Sequence, residues 1–176
     1  MLTHAMQTDA IPTDDLPTRS DPDPTVSDPA GPDPDGDRSA RVSFRQPVST
    51  LGYVDAAWWP RSRNLAAEVP ALLEVLWLAG REVNRITYNL SSWDPAPRRL
   101  EVRAHKVRLG GFSGSDPLTV RLSDADQRER VDILVIPPRA TPELAARAFA
   151  IASQADNSLT PEQILDAADR TDAVSA

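Results

Sequence analysis

A chain of 176 residues without a cysteine has room for about one domain and excludes disulfides, thiolate metal sites and thiol nucleophiles together. Its formal charge of −7 at pH 7 belongs to the first 40 residues, which hold nine aspartates, seven prolines and two arginines. From Arg41 onward 17 acidic residues meet 17 basic ones, so the acidity describes a leader and the domain behind it is neutral.

The leader runs DPDPTVSDPAGPDPDGDR, a composition that cannot bury enough apolar surface to offset the entropy of ordering it. Residues 1–40 therefore read as a disordered acidic segment, 41–170 as a single α+β domain and 171–176 as a frayed end. The start MLTHAMQTDAIPTDD lacks a basic n-region followed by an apolar stretch. No apolar run approaches the roughly 18 residues that a membrane span needs. The expectation is a cytoplasmic protein with no membrane association.

Arg41 to Gln46 opens the domain as a strand, with Val42 and Phe44 on one face and Pro47 ending it. Leu65, Val69, Leu72, Leu73, Leu76 and Trp77 then keep helical spacing. Asn64 is the expected N-cap and Gly80 the C-terminal stop. Pro70 falls inside the stripe, removes one backbone hydrogen bond and is expected to kink the helix.

Strand character follows in Arg81 to Leu90, Arg98 to Ala104, His105 to Leu109, Leu118 to Ser123 and Arg128 to Ile136. The loops WDPAP, GGFSGSDP and SDADQ between them are rich in turn residues, which points to antiparallel neighbours in a meander. Thr141, Pro142 and Glu143 announce a helix, and Thr160 to Gln163 fits a capping box before another. The architecture expected is a mostly antiparallel sheet of roughly five to six strands, with the kinked helix and the C-terminal helices on one face.

Three stretches, GYVDAAWWPRS (Gly52 to Ser62), YNLSSWDPAPRRL (Tyr88 to Leu100) and VRLGGF (Val107 to Phe112), resemble those of a family of small actinobacterial proteins classed as a domain of unknown function. The resemblance covers about Phe44 to Asn157. It implies an actinobacterial source and one small domain, and brings no activity, ligand or catalytic residue with it.

The residues themselves offer three constellations. Trp58 and Trp59 beside Arg61 and Arg63, with Asp55 and Trp93 near, could stack a ring and bind an anion at the start of a helix. The structural alternative is that one tryptophan plugs the core, the other covers the sheet edge and the arginines are solvated or stacked. His105, the one histidine after Arg41, would have to carry any acid–base chemistry, with Asp94 or Asp116 as partner. In RRLEVRAHKVR, Arg98 to Arg108, strand alternation puts Arg99, Arg103 and His105 on one face, a possible platform for single-stranded nucleic acid.

The whole-chain acidity disfavours that last reading, although 14 basic residues outweigh 11 acidic ones between Arg41 and Ile136. Gly110, Gly111 and Gly114 lack the helix and Lys-Ser or Lys-Thr of a phosphate loop and read as a flexible hairpin loop. No cofactor and no metal site is expected. The leading functional reading is a non-enzymatic binding or interaction module for a small anionic or aromatic ligand or a protein partner.

Removal of residues 1–40 is expected to leave the melting temperature unchanged in a thermal unfolding experiment. A large drop would mean that the leader contributes to the folded state.

Overall fold

In a computed structural model of the chain, residues 40–45 and 52–174 are described, with side chains to residue 170. The leader, Gln46 and Pro47 lie outside them. Seven strands, β1 (Val42–Phe44), β2 (Ala56–Trp58), β3 (Arg85–Asn89), β4 (Arg99–Val102), β5 (His105–Phe112), β6 (Thr119–Ser123) and β7 (Arg130–Val135), form one sheet in the order β1-β2-β7-β6-β3-β5-β4. Three helices, α1 (Leu65–Leu78), α2 (Pro142–Ala152) and α3 (Pro161–Val174), complete the α+β fold. All described residues belong to one compact unit.

The sheet is mixed, which corrects the expected antiparallel meander. β2 runs parallel to β7 and β3 parallel to β5, whereas the other four pairings are antiparallel. β5 inserts between β3 and β4, so the short loop after β3 crosses past it rather than closing a hairpin. β2 is too short to have shown as a separate strand within the tryptophan motif.

Strand alternation sorts the core into two clusters. Trp58, Ile86, Val107, Val120, Leu122 and Ile133 meet Leu65, Val69, Leu72, Leu73 and Leu76 of α1 on one side. Ala57, Leu134 and Ile136 meet Ala145, Ala148 and Ala152 of α2 and Ile164 and Ala168 of α3 on the other. The helices therefore occupy opposite faces, not one. Residues next to each other in β2 and β7 alternate sides, and each side acquires its own helix layer.

Local signals place the helix ends. Asn64 Oδ1 accepts from the Ala67 amide at 3.2 Å, and α1 runs through Pro70 as a single helix. It ends with Gly80 at φ +74°, where the Gly80 amide donates to Trp77 O at 2.9 Å and the Arg81 amide to Leu76 O at 3.0 Å, a Schellman closure. Thr141 caps α2 by accepting from the Leu144 amide at 3.2 Å. Before α3, Thr160 N donates to Gln163 Oε1 at 2.9 Å and Gln163 N to Thr160 Oγ1 at 3.3 Å, the reciprocal box its sequence announces. α3 continues to Val174, past the expected point of fraying.

The β4–β5 hairpin turns on Arg103 and Ala104, at φ +47° and +66°. That reversal pairs Val102 with His105 and Arg99 with Arg108, which corrects the shared face expected for Arg99, Arg103 and His105. Arg103 leaves the sheet at the turn and meets Glu74 of α1 at 2.8 Å, while His105 packs on Trp77, ring centroids 4.7 Å apart. Gly110 and Gly111, expected in a loop, are strand residues of β5.

One glycine has a steric reason to be there. Gly52 sits at φ +147° with Arg45 and the Asn157 carbonyl against it, so an added Cβ would strike the Arg45 guanidinium. Arg45 itself is buried, donates to Asn157 O at 3.1 Å and faces Asp55 Oδ1 at 3.7 Å, tying the sheet to the segment between α2 and α3. Gly52→Ala is expected to destabilise the domain by about 1–3 kcal/mol in urea denaturation, because backbone strain and the collision act together. A change below about 0.5 kcal/mol would show that the site relaxes freely.

Candidate functional site

The tryptophans come first, because they carried the strongest expectation. Trp58 is 1% and Trp93 5% exposed, and their rings stack at 5.4 Å with 21° between the planes. Both belong to the core beneath α1. Trp59, the next residue along, falls on the opposite side, partly buried against the α2 and α3 cluster. The Arg41 guanidinium covers its ring at 3.7 Å and is held there by bonds to Trp59 O at 3.1 Å and Pro60 O at 3.2 Å. The pair is split between two cores.

Asp55 is equally occupied. It faces Arg45 and accepts from the Asp132 amide at 2.9 Å, so it orients neither Arg61 nor Arg63. Asp94 is exposed in the loop after β3, its amide donating to Arg63 O at 3.0 Å.

The arginines lie elsewhere. β2 and β7 are adjacent and parallel, yet β2 leads into α1 on one face and β7 into α2 on the other. Adjacent parallel strands whose helices depart to opposite faces leave a crevice beyond their carboxyl ends, the usual location of a binding site in an open sheet. Here a cleft of about 570 Å³ opens at that place. Arg61, Ser62 and Arg63 enter from the β2 side, Pro137, Pro138 and Arg139 from the β7 side, and Ser91 and Ser92 from the loop after β3.

Its walls are fixed by short bonds. Asn89, buried at the end of β3, accepts from the Ser91 amide at 2.8 Å through Oδ1 and donates through Nδ2 to Ser113 O and Ser115 O. Ser92 Oγ donates to Pro117 O at 2.7 Å. Arg63 donates to Ser92 O at 3.1 Å and Ser91 O at 2.7 Å, which anchors its guanidinium across the crevice rim. On the other flank Glu68 accepts from the Arg61 amide at 3.1 Å and Ser62 Oγ at 2.8 Å, setting the turn that carries Arg61.

Among the described residues the lining holds three arginines and no carboxylate, with Leu118, Val135, Pro137 and Pro138 as apolar wall. Such a set can attract and orient an anion; it contains no nucleophile paired with a base. Arg139, Ser91 and Ser92 were not singled out in the sequence. The run PPRA before the Thr141 cap was the available signal for Arg139, because a loop between a buried strand and a helix start belongs at a sheet end.

The histidine does not join this site. His105 begins β5, and Asp116 follows its other end. Eight strand residues separate those ends, about 23 Å at ~3.3 Å per residue. Asp94 follows Asn89, which pairs with Phe112 at that same far end. The expected histidine–carboxylate pairing is thus not assembled. Among the described residues no group of three His, Asp or Glu side chains is placed to hold a metal ion.

Residues 41–152 match a protein family described as a family of unknown function, DUF5994. The chain belongs to that family. The DUF5994 match takes in all seven strands, α1 and α2, and stops where α3 has yet to begin. The whole crevice, from Arg61 to Arg139, therefore lies within the DUF5994 region. No curated protein and no solved structure matches the chain.

Trp58→Ala is expected to cost about 3–5 kcal/mol of stability in chemical denaturation, as loss of a fully buried aromatic does. A cost near 1 kcal/mol would instead place the stacked pair outside the core.

Proposed function

We propose that this DUF5994 domain is a non-enzymatic binding module for a small anion, a carboxylate or phosphate, taken up in the crevice between the β2 and β7 ends. The convergence of Arg61, Arg63 and Arg139 on a cleft lined by no acid among the described residues carries this reading. Arg63 is already fixed by two carbonyls, so its charge is pre-oriented and little side-chain entropy is lost on binding. The apolar wall of Leu118, Val135 and the prolines suits the carbon skeleton of such a ligand. Lack of cysteine supports a reducing cytoplasm, and the likeness of GYVDAAWWPRS to actinobacterial sequences supports that source.

Burial of Trp58 and Trp93, with Trp59 partly buried under Arg41, supports leaving the aromatic half of the ligand out of this reading. What remains is the cationic half. A thermal-shift screen of the full chain against organic acids, sugar phosphates and nucleotides tests it. A ligand at a hundred times its Kd adds about 2.7 kcal/mol, a rise of several degrees in a protein of this size. Arg61→Ala with Arg139→Ala is expected to abolish the rise while leaving the unliganded melting temperature in place. No rise with any anion, or a rise that survives both substitutions, would remove the crevice from consideration.

A further inference from the structure

Among the described residues, the face of the sheet that receives α2 and α3 is covered around β1, β2 and β7. Farther along, β6, β3, β5 and β4 carry no helix on that side among the described residues, and strand register decides what they present. Arg99, Arg108, Arg85, Ser123 and Arg130 stand directly opposite one another across five strands. Lys106 stands beside Arg108 on β5, opposite Glu101 of β4.

Neighbouring strands are ~4.8 Å apart, and like charges directly opposite repel. Arg121 and Arg130 relieve that through Asp132, at 2.7 and 3.3 Å. Arg85, Arg99, Lys106 and Arg108 form no ion pair among the described residues. Two shallow cavities, of about 420 and 580 Å³, are both lined by Arg85, Arg99 and Arg108. Two carboxylates, Glu101 in the sheet and Asp124 at the rim of the smaller cavity, oppose them incompletely.

An aromatic ring completes the surface. Phe112 points to the same side as Arg108 and Gly110, and its ring lies over Gly110, where a Cβ would come within 3.2 Å of it. It is 53% exposed. A glycine under a solvent-facing ring leaves a flat platform beside the cationic row. Cations tracking a backbone next to a stacking ring are the combination that single strands require. An acidic polypeptide would use the cations and leave the ring without a purpose.

We infer that this uncovered face binds single-stranded nucleic acid, with Arg85, Arg99, Lys106 and Arg108 neutralising successive phosphates and Phe112 stacking on one base. The formal charge of the chain does not oppose this, because its −7 is carried by residues 1–40. The expected binding tolerates sequence, as stacking and phosphate contacts do. This surface lies apart from the crevice of the proposed function, and neither reading depends on the other.

Fluorescence anisotropy of the full chain with a labelled oligothymidylate of about 12 nucleotides tests the inference. Affinity is expected to fall with a log–log salt slope near −2.8, about −0.7 for each of four cations. The double variant Arg99→Glu, Arg108→Glu is expected to lose at least about tenfold in affinity, and Phe112→Ala about fivefold or more. Arg61→Ala with Arg139→Ala is expected to bind the oligonucleotide as wild type does, which separates this surface from the crevice. Arg108→Glu alone places a carboxylate between Arg85 and Arg99, relieves both repulsions and should melt no lower than wild type, so its own loss of affinity is not loss of fold.

Absence of binding at about 50 mM salt would overturn the inference. So would unchanged binding by the charge-reversed variant. Displacement of the oligonucleotide by a poly-aspartate peptide of equal charge, combined with normal binding by Phe112→Ala, would reassign the face to an acidic polypeptide.

Discussion

Ala56, Ala57 and Trp58 lie in parallel register with Ile133, Leu134 and Val135, and the alternation along these short stretches decides what each side of the domain can be. Trp58, Ile133 and Val135 belong to the α1 side, Ala57 and Leu134 to the α2 and α3 side. Small residues at Ala56 and Ala57 let backbone and helix layers approach, whereas Trp58 fills the space beneath α1 and stacks on Trp93. Because the two strands then release their chains to opposite faces, the same pairing that organises the cores opens the crevice at its end.

What was legible in the sequence was what is local in the structure. Asn64, Thr141 and the Thr160–Gln163 pair announced helix starts because each cap is satisfied within three residues. Alternation marked three of the strands after Arg81, β3, β4 and β6, and every expected segment was longer than the structure makes it except β5, which absorbs Gly110 to Phe112. Parallel pairing was not legible, since nothing in either stretch names its partner, and for β2 that partner lies far along the chain. The Arg103–Ala104 turn escaped for a local reason: neither residue is the glycine or asparagine that such backbone angles favour, so although Arg98 to Ala104 and His105 to Leu109 read as separate strands, Arg99, Arg103 and His105 were placed on one face.

The tryptophan motif shows how adjacency in sequence can mislead about adjacency in space. Two neighbouring aromatics read as one surface, yet at the end of a strand consecutive side chains leave in opposite directions. Trp58 goes under α1 and Trp59 toward α2, the latter roofed by Arg41. Arg61 and Arg63 of the same motif, freed from the strand geometry by Pro60, do reach a cleft. The stretch is thus partly core and partly rim, and its cations and its aromatics serve different ends. Charge is partitioned likewise across the chain: a neutral total after Arg41 conceals an acid-free crevice and a sheet face on which arginines stand in line.

The hydrogen bond from the Asp132 amide to Asp55 spans 77 residues of sequence, whereas the pairings of β3, β4, β5, β6 and β7 close over much shorter stretches. Loop-closure entropy grows with the length enclosed, and contacts between distant residues form late when nearer ones can form first. The order of assembly follows from this. Strands β4, β5, β6 and β7 can gather around β3 before β2 arrives, and β2, docking against a β7 already in place, brings α1 and Trp58 with it. The crevice therefore depends on the most distant strand pairing in the sheet, so its arginines are brought together by a contact that encloses 77 residues.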